Sequence, residues 1–259
     1  MINAPVGLIS DIRIAPAGRG LAWFTEAFYS FRHNVGAWMG IGFILFIFAA
    51  ISLTIPLFSL ILQLFMPVLI GGLLLGCRDS SNGGQLSLNH LFAGFSHATG
   101  NLLLLGILYT IGAVVILALM AGMAIIAVGG SVIVSAIING DPLTILDNLI
   151  LLLLVILVGS LLFVPLLMSV WFGPALIVFE GYSPLYAMKH SFLGCLKNTL
   201  AFLVYGLVGL VLAVFATLPL MLGWIVLLPV TIIGFYLSYR DIYAQDVLLI
   251  TRQEDSHVS

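Results

Sequence analysis

Long apolar runs, broken at a few points by charge, proline and glycine, set the pattern of this chain. No Asp, Glu, Lys or Arg occurs from Val35 to Cys77, Ala98 to Gly140, Asn148 to Phe179 or Asn198 to Tyr239. The first interval is roughly twice the ~20 residues that cross a ~30 Å hydrocarbon core as a helix, so it must fold back on itself. Pro56 marks that turn. The pattern predicts six membrane helices, at about Val35–Thr54, Leu57–Cys77, Asn101–Val128, Leu149–Phe172, Thr199–Leu218 and Leu222–Tyr239. The fourth runs on past Pro165 towards Glu180.

A shorter stretch with helical periodicity precedes each odd-numbered span and reads as a helix lying along the membrane surface. In the first, Phe24, Phe28, Phe31 and Val35 fall on one face. The second, capped by Ser87, places Leu88, Leu91, Phe95 and Leu102 at helical spacing. The third opens at Ser183 and Pro184, an N-cap followed by proline at the first helical position, with Leu185, Met188, Phe192 and Cys195 as its apolar face. Residues 1–20 read as a loosely ordered cytoplasmic lead-in, 21–243 as the membrane domain and 244–259 as a polar cytoplasmic tail. Between the third and fourth spans, GGSVIVSAIINGDPLTILDN carries Asp141 and Asp147 without Lys or Arg and is expected to be extracytoplasmic.

Three similar units emerge when Asn34, Asn101 and Asn198 are set in register. Phe28, Phe95 and Phe192 each stand six residues earlier. In the first and third units a proline pair follows at nearly matched distances, Pro56 with Pro67 and Pro219 with Pro229, and then an Arg-Asp pair, Arg78-Asp79 or Arg240-Asp241. The middle unit delays its proline to Pro165 and ends near Glu180. The fold class is therefore an all-α membrane protein of six transmembrane helices in three parallel repeats, about 21–79, 87–180 and 184–241, each an interfacial amphipathic helix plus a membrane hairpin.

Composition agrees: 62% of residues are hydrophobic and 7% charged, where soluble domains carry about a quarter. The net charge of −2 points to no nucleic-acid partner. With six crossings, all eight Lys and Arg residues fall on one side, which predicts cytoplasmic N- and C-termini and a bacterial inner-membrane location. Val6 to Ile9 is too short an apolar patch for a cleavable signal, so the first span is expected to act as its own insertion signal. Cys77 and Cys195 are expected to be free thiols.

Candidate chemistry is sparse. The spans lack Asp, Glu, Lys, Arg and His, which argues against an ion-coupled transporter. No catalytic constellation, ligand-spaced His or Cys pair, or cofactor motif is present, so neither an enzyme nor a bound cofactor or metal is expected. Two constellations remain. Arg78, Asp79, Glu180, Arg240 and Asp241 end the even-numbered spans and could tie the units together as a charged ring. Pro67, Pro165 and Pro229 lie half-way along those spans as hinges, or as the lining of a central cavity with Gly71, Ser169 and Thr231 nearby.

The stretch WFGPALIVFEGYSPLYAMKHSFLGCLKN, with HLFAGF upstream and SYRDIY downstream, resembles a family of uncharacterised proteobacterial multi-pass inner-membrane proteins over about Leu21 to Tyr243. The form of Pro174 to Asn198 is also similar to the membrane domain attached to some glycerophosphodiester phosphodiesterases. The resemblance implies a six-helix membrane protein and brings no activity or site residues. Nothing in the chain matches a phosphodiesterase catalytic domain. The expected function is that of a non-catalytic accessory, assembly or envelope-organising protein acting through membrane lipids and a membrane-protein partner. The alternative is a facilitator or carrier of a small neutral or lipid-like solute. A roomy centre at the depth of the three prolines favours the alternative; a packed centre favours the first.

Overall fold

A computed structural model describes residues 12–130, 132, 138, 146 and 148–243. The expected extracytoplasmic loop, with Asp141 and Asp147, lies almost wholly outside the described residues, as does the C-terminal tail. The described chain is all helical: α1 (Arg19–His33), α2 (Val35–Thr54), α3 (Pro56–Ser81), a 3₁₀ helix (Leu88–Phe95), α4 (Thr99–Val128), α5 (Leu149–Trp171), α6 (Gly173–Glu180), α7 (Pro184–Lys197), α8 (Thr199–Thr217) and α9 (Trp224–Tyr243). Six segments are long and apolar enough to cross a membrane: α2, α3, α4, α5 continued by α6, α8 and α9. Pro56 sits in the first turn of α3, where a missing N–H costs nothing, and the extended Ile55 makes the reversal. Pro184 starts α7 in the same way.

The surface elements dock on the bundle in a regular manner. α1 packs on α9 and α8, the 3₁₀ helix on α3, and α7 on α5 and α6. Their inward faces take only part of the apolar faces read in the sequence. α1 buries Gly20, Trp23, Phe24, Ala27 and Phe31, the 3₁₀ helix buries Leu91 and Gly94, and α7 buries Pro184, Ala187, Ser191, Gly194 and Cys195. Of the residues read on their apolar faces, Phe24, Phe31, Leu91, Leu102 and Cys195 are buried, whereas Phe28, Phe95, Val35 and Leu185 are 49%, 43%, 44% and 68% exposed. The physical reason is the solvent. Lipid accepts large apolar side chains as readily as a protein interior does, so such residues face either way, while the closest helix approaches select small ones.

Two glycines show how close that approach is. A Cβ on Gly94 would collide with the Val68 carbonyl of α3, and one on Gly42 of α2 with the Ile225 carbonyl of α9. The expected lead-in is docked over the residues that are described. The Asn198 side chain accepts the Ala15 N–H at 2.7 Å and donates to the Arg13 carbonyl at 3.0 Å. Arg13 N–H donates to the Ile242 carbonyl at 3.1 Å.

Candidate functional site: a charged end and an apolar cavity

The ends of α3, α6 and α9 form one charged layer with the surface helices. Asp241 accepts the Arg19 Nε–H at 2.6 Å and the Trp23 indole N–H at 2.7 Å. Arg19 also pairs with Glu26 at 2.6 Å, and hydrogen bonds to Glu26 and Asp241 push its pKa further above its ordinary value. Asp79 lies 3.3 Å from His90 Nε2. Glu180 accepts the Tyr239 hydroxyl at 2.6 Å. The Arg78 guanidinium stands 5.3 Å from the centre of the Phe179 ring and Arg240 6.0 Å from that of Tyr236. Among the described residues, the five proposed ring members pair with one another only at the adjacent Arg78 and Asp79, 3.8 Å apart. Each carboxylate is instead held by a neighbouring element: Asp241 by α1, Asp79 by the 3₁₀ helix, Glu180 by α9. These exposed or half-exposed pairs contribute only ~0–1 kcal/mol each, so their role is registration of the helix ends.

The middle joint is tied by Ser191. Its hydroxyl accepts the Phe172 N–H at 2.9 Å and donates to the Met168 carbonyl at 2.6 Å, holding α7 against the break between α5 and α6. Burial pushes the neighbouring Cys195 thiol up to about 12, which makes it a packing residue rather than a nucleophile. Cys77 is likewise free and buried.

Above this layer an apolar cavity of about 760 Å³ opens between the helices, lined from α3, α4, α5, α8 and α9. On α3 its wall runs from Ser59 to Ile70 and on α9 from Trp224 to Phe235, each about 16 Å at ~1.5 Å per residue. Its floor, towards the charged end, is aromatic: Phe24, Trp171, Tyr205 and Phe235. The Phe24 and Tyr205 rings stack at 4.4 Å, and the Tyr205 hydroxyl donates to the Thr231 carbonyl at 3.2 Å. Phe172, Phe202 and Tyr243 close ranks beneath, with centroids 5.1–5.7 Å apart around Phe172. Among the described residues, no Asp, Glu, Lys, Arg or His lines the cavity. α5 and α8 meet chiefly through this floor, where Trp171 touches Phe202 and Tyr205 at 6.0 and 6.4 Å.

The three mid-span prolines have three different settings. Pro67 lines the cavity. Pro229 is buried in α9; it has no N–H to offer the Ile225 carbonyl, and that carbonyl meets Gly42 of α2. Pro165 is exposed on α5, and Ser169 donates to its carbonyl at 2.8 Å. Thr231 lines the cavity, whereas Gly71 packs on Leu102 and Val178. Sequence reading passed over Gln63 and Tyr109, which also line the cavity. A signal existed: Gln63 is the one Asn or Gln between Val35 and Cys77, and it stands four residues before Pro67.

Against known proteins, the chain is 27% identical over 261 residues to a protein from Burkholderia thailandensis named as a probable inner membrane protein, covering 88% of this chain and 92% of that one. With six apolar helices, that similarity supports a multi-pass inner-membrane location. No protein-family model matches the chain, and no solved structure does. The comparisons do not show the likeness to the phosphodiesterase membrane domain.

Proposed function

We propose that this protein is a non-catalytic inner-membrane protein that holds a neutral, lipid-like molecule between its helices. The observation that carries the reading is the cavity, about 760 Å³ with no Asp, Glu, Lys, Arg or His on its wall among the described residues. That volume falls within the ~300–1,000 Å³ of small-molecule sites. A charged solute would meet no counter-charge there, and burying it unpaired is strongly unfavourable. An apolar chain meets Leu, Ile, Met and aromatic surface. The aromatic floor argues for holding or presenting a lipid within one leaflet rather than passing it across.

Both termini and all the surface helices are cytoplasmic in this account, because the basic residues gather at that end. The cavity then reaches towards the extracytoplasmic leaflet. The three-unit arrangement is part of the same proposal. In register with Asn34, Asn101 and Asn198, the small residues Ala27, Gly94 and Ser191 are all buried, and Phe28 and Phe95 face outward. Trp23 and His90 share one register position, and each meets the Asp of an Arg-Asp pair from another unit, Trp23 that of the third and His90 that of the first. The accessory or organising reading would then operate through the bound lipid.

Gly206 offers the test, because it lines the cavity and a Cβ there would meet nothing within 4 Å. Native mass spectrometry of the protein released from mild detergent should show a retained neutral lipid. Gly206→Leu should remove that adduct while leaving the melting temperature unchanged or raised. No adduct on the unaltered protein, or the same adduct on the variant, would count against a lipid-holding cavity.

A further inference from the structure

Two polar side chains in the cavity have no business with the protein itself. Gln63 on α3 and Tyr109 on α4 both line it, and among the described residues neither side chain finds a hydrogen-bond partner. The two lie at one level. α3 and α4 run antiparallel, with Gly106 seated on the Leu64 carbonyl, so Tyr109, one turn further along α4, comes alongside the turn of α3 that carries Gln63. Pro67 adds a third group: it has no N–H to give the Gln63 carbonyl, which loses its helical donor. An amide, a phenol and a backbone carbonyl thus gather on a wall whose small polar side chains, Ser52, Ser59 and Thr231, donate back to carbonyls of their own helices, inside a span where unmet polar groups are unfavourable.

We infer that Gln63 and Tyr109 form the recognition site for the polar end of the bound molecule, and that this molecule is a neutral lipid bearing a carbonyl oxygen. The inference rests on the lipid-holding reading above. A carbonyl oxygen accepts from both the Gln63 amide and the Tyr109 hydroxyl, and a neighbouring hydroxyl on the ligand can donate to the freed Gln63 carbonyl. The apolar chain then extends over Met66, Ile70 and Ile232 towards the aromatic floor. An ester of glycerol and an isoprenoid quinone share this chemistry.

Tryptophan fluorescence separates the outcomes, since Trp171 and Trp224 line the cavity whereas Trp23 and Trp38 are buried away from its wall. The full chain in dodecyl maltoside is titrated with a dibrominated monoacylglycerol, a decyl-substituted benzoquinone and a dibrominated alkane of equal length. Saturable quenching by the glyceride or the quinone is expected, and whichever saturates at lower concentration names the source. Gln63→Leu and Tyr109→Phe, which retain bulk, should each weaken it about tenfold, the equivalent of one hydrogen bond. If the alkane binds as tightly, or the variants change nothing, polar recognition fails while the lipid-holding cavity stands. If no probe quenches saturably, the cavity reading fails with it.

Discussion

Ser191 shows how much one hydroxyl can hold in an apolar chain. It is fully buried and satisfies both the Phe172 N–H and the Met168 carbonyl at the break between α5 and α6. The Ser191→Ala variant takes from the Phe172 N–H its side-chain acceptor and leaves it only the Val170 carbonyl two residues back, at a cost of about 0.5–1.5 kcal/mol. The adjacent Phe192→Leu change touches a half-exposed position and should be nearly silent. Thermal unfolding in detergent, followed by exposure of the buried Cys195, checks both. Residues of this kind are hard to see in advance, because serine is also the commonest harmless polar residue of a membrane helix. Gln63 had a clearer signal, as a lone amide placed four residues before a proline, although the cavity expected from the prolines was read with Gly71, Ser169 and Thr231 nearby and without it.

At the level of elements, the sequence made the spans legible to within a few residues, because charge-free length follows from bilayer thickness. The apolar faces of the surface helices were legible, with Phe24, Phe31, Leu91 and Cys195 buried, but not which part of each face meets lipid. Periodicity marks Phe28 and Leu185 as apolar, yet both look outward, while Ala27 and Ser191 look in. Hydropathy cannot distinguish lipid from core; small residues mark where backbones meet. The α2–α9 seam tests this rule. Gly42→Ala sets a methyl group against the Ile225 carbonyl and should destabilise by about 1–3 kcal/mol. Gly36→Ala on the same helix meets nothing within 4 Å and should be neutral or slightly stabilising. Comparison of the two melting temperatures isolates backbone approach from helix propensity.

Across the whole molecule, α1, the 3₁₀ helix and α9 hold the carboxylates of one charged end and leave room above it. The charged residues at helix ends were recognisable as a group, but not their partners, since Trp23, His90 and Tyr239 reach them only through the fold. The cavity was half legible. Pro67 belongs to it, while Pro229 serves a helix contact and Pro165 faces outward, because a proline's position along a helix says nothing about the direction it faces. The central claim is that lipid occupies this room in the native membrane. A lipid carrying a diazirine near the end of its acyl chain, photolysed in intact membranes and followed by peptide mapping, tests it most directly. The account predicts labelling at Tyr205, Leu227 and Phe235, which line the cavity and are 7–9% exposed, and loss of that labelling in Gly206→Leu. Labelling confined to outward residues such as Leu207, Leu210 and Val214, unchanged by the substitution, would contradict it.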